Sequence, residues 1–233
     1  VPGTVAKGSG IERRELIKAS SWPDTTSGGK KQLKRIAVLA SGKGSNLEAI
    51  FQAAERGELE GRVVLVISDR QEAGALERAR QRGVKALYID PRPFAGRVEY
   101  DRAIMKELEK EAVDLVVLAG FMRLLSKEFV DAYPHRIMNI HPALLPSFPG
   151  TEGVKDALEY GVKVTGCTVH FVDEGMDTGP IILQGAVEIK DDDTVETLHQ
   201  RIQEVEHRLY PRAINLFCQN KIKVEGRRCF ILE

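Results

Sequence analysis

Short apolar runs alternate with amphipathic stretches from residue 35 onward. Residues 35–40 are apolar throughout after the leading arginine. That is the pattern of a strand buried on both faces. Residues 46–54 follow, with Leu47, Ile50 and Phe51 at helical spacing. The same alternation then repeats. Residues 62–67 read as a strand and 72–82 as a helix, with Gly83 as its C-cap. Residues 85–89 read as a strand, and 97–110 as a helix with Tyr100, Ile104, Met105 and Leu108 facing inward. Residues 114–119 form a fourth apolar run. A β-α-β-α-β-α-β order predicts an α/β fold: a doubly wound, mostly parallel sheet with helices on both faces and right-handed crossovers.

The second half changes rhythm. Residues 136–140 read as a strand that Pro142 stops, because proline cannot donate to a sheet ladder. Residues 153–160 look helical. Residues 165–172 and 181–189 read as two strands of an antiparallel hairpin around a turn-rich acidic loop. Asp193 and Glu196 suggest a capping box for a helix beginning at Thr194, with Val195, Leu198, Ile202, Val205 and Leu209 at helical spacing. Pro211 is expected to break or kink that helix. Residues 221–232 resemble a last hairpin, around Glu225-Gly226. Residues 1–33 lack periodicity, apart from a helical turn or two in 11–19. They read as an extension, flexible or loosely docked, on a single domain spanning 34–233.

Composition narrows the function classes. Of 233 residues, 42% are hydrophobic and 29% charged, which is ordinary for a soluble globular protein. Lysine plus arginine is 34 and aspartate plus glutamate is 34, so charge suggests no nucleic-acid partner. No apolar run approaches the roughly 20 residues that span a bilayer, so no membrane partner is expected. Cys167, Cys218 and Cys229 are scattered without C-x-x-C pairing, which fits a reducing compartment. The expected location is cytoplasmic. The acid-poor start leaves a plastid possible, as a processed transit remnant.

Candidate chemistry gathers at strand ends. Asn139 and His141 are two apart, so in an extended chain both face one way. They lie at the carboxyl end of a strand, where open α/β sheets bind ligands. Taken alone, the pair reads sooner as a turn asparagine and a half-buried packed histidine, and the rest of the chain reverses that. The glycine turn Gly42-Lys43-Gly44-Ser45 sits between the first strand and the first helix. Its free N–H groups suit a phosphate, although a plain structural turn is the alternative. It is neither the dinucleotide fingerprint, which needs glycine where Leu47 stands, nor a Walker loop. Phe121, Met122, Leu124 and Leu125 beside Arg123 either line a flat organic ligand or cover the sheet end. If the 165–189 hairpin lies next to the strand ending at Ile140, Asp177 joins Asn139 and His141. A carboxylate there fixes the ring's tautomer, and the amide can bond an oxyanion. No serine or cysteine is placed as a nucleophile, so the attacking atom is expected from a substrate. His141, His170 and Asp177 match no usual metal-ligand spacing, and His170 reads as a packed strand residue.

Five segments carry a resemblance. They are residues 41–47 (SGKGSNL), 118–123 (LAGFMR), 139–146 (NIHPALLP), 168–172 (TVHFV) and 177–182 (DTGPII), supported by Glu206-His207 and Tyr210-Pro211. Together, from about 35 to 217, they resemble the folate-dependent formyltransferases, and among them the glycinamide ribonucleotide formyltransferases. The resemblance implies a Rossmann-like formyltransferase fold and a place in purine biosynthesis. It implies transfer of the formyl group of 10-formyltetrahydrofolate, a co-substrate, to glycinamide ribonucleotide, without metal. It assigns catalysis to Asn139, His141 and Asp177. Gly44, Ser45 and Asn46 would hold the substrate phosphate, and Gln203 and Glu206 would reach the ribonucleotide. Arg97, Met122, Arg123, Leu124, Leu125, Asn139, Asp173, Glu174, Gly175, Met176 and Asp177 would frame the folate. A monomer or homodimer is expected. Glu152 stands where the family often has histidine.

Three other readings differ in sequence. Methionyl-tRNA formyltransferase resembles the chain in its triad but adds a C-terminal RNA-binding domain, for which the stretch after Phe217 looks too short. Formyltetrahydrofolate hydrolase adds an N-terminal regulatory domain, for which 33 residues look too few. A silent nucleotide-sensing domain would keep the glycine loop but need no Asn139, His141 and Asp177.

Overall fold

The computed structural model describes residues 32–233. The expectations for residues 1–31, including the helical turn in 11–19, lie outside the described residues. The chain lays down β1 (Lys34–Leu39), α1 (Ser45–Glu55), β2 (Gly61–Ser68), α2 (Gly74–Gln81), β3 (Lys85–Tyr88), α3 (Arg97–Lys110) and β4 (Leu115–Leu118). It continues with α4 (Lys127–Ala132), β5 (Ile137–His141), α5 (Gly153–Tyr160), β6 (Val164–Phe171), β7 (Ile181–Glu188), α6 (Val195–Cys218), β8 (Ile222–Glu225) and β9 (Arg228–Ile231). Among the described residues one sheet holds nine strands, in the order β3-β2-β1-β4-β5-β6-β7-β9-β8. The first five pair parallel. β5–β6 and β6–β7 pair antiparallel, so the hairpin does flank β5.

Alternation along β1 builds the two layers. Ile36, Val38 and Ala40 enter one core with Leu47, Ile50, Phe51, Leu76, Ile202 and Tyr210. Ala37 and Leu39 point the other way, against Tyr100, Ile104, Leu108 and Phe129. Successive strand residues face opposite sides, so a run apolar at every position needs helices on both.

Two expectations change, and one helix is added. Pro211 does not end α6, which runs on to Cys218. Proline removes the bond to the carbonyl four residues back and crowds that carbonyl, but Leu198, Ile202, Tyr210, Ala213 and Ile214 are buried along the same helix. The capping box is Thr194 with Thr197, not Asp193 with Glu196. Asp193 instead pairs with Arg201 and accepts from Lys190 N at 2.7 Å. The short helix α4 carried no periodic signal in six residues; Ser126 caps it by accepting from Phe129 N.

Candidate active site

The anion cradle comes first in the chain. Gly44 adopts φ +76° and stands before α1 with no side chain capping the helix. The N–H groups of the first helical turn therefore have no intrahelical partner. A Cβ on Gly44 would lie 2.8 Å from Ala75 Cα, so the loop is pressed against α2. Ser41 ties this loop to the next one, donating to Asp69 at 2.6 Å and accepting from Met122 N at 2.9 Å. On the α2 side lies a cavity of about 870 Å³ lined by Ser41, Gly42, Lys43 and residues of the 70–81 segment.

Asn46, the second residue of α1, donates from Nδ2 to Glu206 Oε2 at 3.0 Å. Glu206 is 4% exposed. Burial pushes its carboxyl up to about 7, against the pull of the Asn46 hydrogen bond. Gln203 lies one turn earlier on α6, half-buried.

The second cluster surrounds Asp177. β5 ends in Asn139, Ile140 and His141, and its antiparallel partner β6 sets His170 opposite Asn139. The hairpin loop then delivers Asp177 in a left-handed conformation, φ +54°. Its Oδ2 accepts from Gly150 N at 2.8 Å and faces His141 Nδ1 at 3.5 Å. Its Oδ1 faces Asn139 Nδ2 at 3.5 Å and His170 Nε2 at 3.6 Å. Burial opposes the charge. The contact with His170, the hydrogen bond from Gly150 N and the nearby imidazoles outweigh it, and the carboxyl sits below its ordinary range.

Hydrogen-bond inventory assigns the rings. His170 Nδ1 lies 2.8 Å from Phe171 O, which can only accept, so Nδ1 carries a hydrogen. In the neutral ring Nε2 then accepts from Asn139 Nδ2 at 3.3 Å and aims the amide. His141 Nε2 likewise donates to Phe148 O at 2.7 Å, which leaves Nδ1 toward Asp177. The ring is 3% exposed, so a substrate must take over the Phe148 bond to reach it. Behind the pair, Thr168 donates to Ala143 O at 2.7 Å and accepts from Leu145 N at 3.0 Å, anchoring the segment after β5.

His170 was missed by sequence reasoning. Its position two residues beyond Thr168 on a strand says nothing of register; only pairing with β5 puts it beside Asn139. Replacing His170 with phenylalanine keeps the ring shape and removes both nitrogens. We expect kcat to fall about 10–100-fold from loss of an amide-aiming contact, in the range of one positioned donor or less. Steady-state kinetics on a folded variant checks this; unchanged kcat would make His170 a packing residue.

The residues assigned to a flat organic ligand lie around the same rim. Met122, Leu124 and Met176 are 67%, 55% and 50% exposed, unusual for large apolar groups. The Arg123 guanidinium stacks 5.1 Å from the Tyr100 ring centre. Asp173 closes its loop, accepting from Gly175 N at 3.1 Å and from Thr178 Oγ1 at 2.6 Å. Glu174 forms an ion pair with Lys127 of α4. Arg97 is exposed at the first turn of α3. Glu152, the residue before α5, is exposed and pairs with Lys155 at 3.6 Å. Among the described residues, no group of three or more His, Cys, Asp or Glu is arranged to hold a metal. No described helix is long and apolar enough to cross a membrane.

The pattern described as Formyl transferase matches residues 34–214. Phosphoribosylglycinamide formyltransferase of Bacillus subtilis is 44% identical over 182 residues, 78% of this chain and 93% of that protein. The chain belongs to the phosphoribosylglycinamide formyltransferase family. A crystal structure of glycinamide ribonucleotide transformylase 1 from Symbiobacterium toebii has 51% identity and a TM-score of 0.86, covering 92% of this chain and all of that one. The trifunctional purine biosynthetic protein adenosine-3 of Gallus gallus is 44% identical over 198 residues, 84% of this chain. The chain spans about a fifth of the length of that trifunctional relative, which it covers to 20%. Strands β1 to β7, the glycine turn and the Asp177 cluster fall within the matched span.

Proposed function

We propose that this chain transfers the formyl group of 10-formyltetrahydrofolate to the amine of glycinamide ribonucleotide, giving formylglycinamide ribonucleotide and tetrahydrofolate. One observation carries the reading. Asn139, His141 and His170 converge on Asp177 at the carboxyl end of β5, on the same rim as the uncapped start of α1. β1, β4 and β5 are consecutive and parallel, so the two clusters are two strand spacings apart, about 10 Å. That suits a ligand with an anion at one end and a reacting amine at the other.

In this reading the first turn of α1 with Gly44, Ser45 and Asn46 holds the phosphate, and Gln203 and Glu206 meet the ribonucleotide. The exposed apolar groups Met122, Leu124 and Met176, with Arg97, Arg123, Leu125 and residues 173–175, take the folate. The amine's lone pair attacks the formyl carbon, and the carbonyl oxygen gains negative charge. The Nδ2 hydrogen of Asn139 that faces Asp177 turns to that oxygen, and the His141 ring bonds it as well. The bond from the carbon to the folate nitrogen then breaks, and the proton lost by the amine ends on that nitrogen.

The test is consumption of 10-formyltetrahydrofolate. It is expected to require glycinamide ribonucleotide and to be unaffected by chelator. Turnover without the ribonucleotide would make the protein a hydrolase. Loss of activity in chelator, restored by zinc, would bring a metal into the mechanism.

A further inference from the structure

The Glu206–Asn46 pair is incompletely satisfied. Glu206 lies in the core with its one hydrogen bond, from Asn46 Nδ2 at 3.0 Å, and among the described residues no cation pairs with it. A buried carboxylate normally collects several donors or a cation. Asn46 Oδ1 is also buried, without a partner. The two deficits are complementary. A protonated carboxyl has one O–H to give, and an amide oxygen accepts it. An amide turned end for end keeps its shape and exchanges donor for acceptor. Two arrangements therefore fit one space. In the first, Nδ2 donates to the carboxylate. In the second, the carboxylic acid donates to Oδ1, and both Nδ2 hydrogens are released on the second residue of α1, where the unpartnered Oδ1 stood.

We propose that Asn46 and Glu206 form a proton-linked anion clamp, in which phosphate at the start of α1 draws one proton from solvent onto Glu206 and turns the Asn46 amide to present Nδ2 to the phosphate. This rests on the ribonucleotide reading above. A dianion beside a buried carboxylate is repelled, and protonation removes that repulsion.

The neighbours leave Glu206 as the group that titrates. From β6 comes Cys167, whose thiol burial and the Glu206 carboxylate push up to about 12. On α6 itself, Tyr210 is held well above its ordinary range by burial and by Glu206, and it donates to Leu118 O at 2.8 Å. His207 Nε2 is buried without a partner, and burial lowers its pKa, so that ring is neutral in weak base. From α1 comes Asn46 alone; burial and Asn46 are the two influences on Glu206, with none from β5, β7 or α5. The free carboxyl therefore titrates near neutrality, between an unfolded value of 4.5 and a folded value of about 7.

Calorimetric titration of the full chain with glycinamide ribonucleotide, in two buffers of different ionisation enthalpy, counts the protons. At about pH 8 the ribonucleotide phosphate is already a dianion, while the glycinamide amine still titrates, so the amine's share, common to the wild type and Glu206→Gln, is subtracted from the counts. We expect the wild type to take up about one proton per ribonucleotide at about pH 8 and far less at about pH 6. Glu206→Gln, neutral at every pH, is expected to take up none. Its thermal midpoint should gain on the wild type as pH rises from about 5 to 8, because folding then no longer buries a charge. Should that variant fail to fold, wild-type affinity alone decides. It is full below the free pKa and falls up to about tenfold per pH unit above it. Binding without proton uptake, uptake equal in both proteins, or affinity level from about pH 7 to 9 overturns the clamp and leaves the formyl-transfer reading standing. Absence of any ribonucleotide binding by the wild type overturns that reading and the clamp with it.

Discussion

Asp177→Asn is expected to lower kcat by about 10²–10⁴-fold, the range for losing a positioned acid–base or oxyanion element. The variant keeps the size of the side chain. Asparagine also tolerates the left-handed backbone that Asp177 adopts, φ +54°, so the loop need not strain. What changes is charge and hydrogen-bond sense. Oδ2 serves Gly150 N and His141, while Oδ1 serves Asn139 and His170. An amide nitrogen at either place meets a donor already there. Both imidazoles lose the neighbouring carboxylate charge, and either Asn139 or the Gly150 turn loses an acceptor. KM for the ribonucleotide should move little, because the proposed phosphate site lies two strands away. Stability carries a second signature. The Asp177 carboxyl is held below its ordinary range, so its contribution is present above the unfolded value of 3.8 and is lost as pH falls through the folded value. The variant has no such contribution to lose, and thermal melts in neutral and strongly acidic buffer compare the two. Near-normal turnover in folded Asp177→Asn would make this aspartate a turn residue.

Gly44→Val is expected to raise KM for the ribonucleotide about 10–100-fold, roughly 1.4–2.7 kcal/mol of binding. Two independent features produce the effect. The backbone sits at φ +76°, where a β-branched residue is strained by about 1–3 kcal/mol. The new Cβ would also meet Ala75 Cα at 2.8 Å, backbone that cannot step aside without moving α2. The first turn of α1 shifts, and its N–H groups lose their common aim. Folate binding should change much less, because the residues proposed for it lie on the 122–125 and 173–177 segments. Gly42→Ala is the control, since a Cβ there meets nothing within 4 Å. Isothermal titration with each ligand separately checks the split. Equal weakening of both ligands would mean that the loop only shapes the fold.

Much of the fold could be read from local pattern. The run at 36–39 is apolar at every position, which demands cover on two faces, and the cores on either side of β1 supply it. The helix read at 97–110 has the observed ends of α3. Gly83 closes α2 at φ +66°, the conformation a C-cap glycine provides. The corrections fall where local rules compete with packing. Pro211 breaks a helix by propensity, yet one lost hydrogen bond and a crowded carbonyl do not overcome the apolar face buried on both sides of it. Thr194 outranks Asp193 as cap because Asp193 is engaged by Arg201.

The same division holds at the site. Residue order alone determined that Asn139 and His141 share a face, that a glycine turn precedes the first helix, and that an acidic loop joins two strands. Those are consequences of backbone period and of glycine's freedom at positive φ, and they act within a few residues. Tertiary structure decided the rest. Strand order placed β6 beside β5, and register set His170 opposite Asn139. A shift of one residue would have turned that ring to the other face. The approach of α1 to α6 brought Asn46 within 3.0 Å of Glu206, across 160 residues of chain. Burial there, which no local pattern reports, moves a surface-like carboxylate into the neutral range.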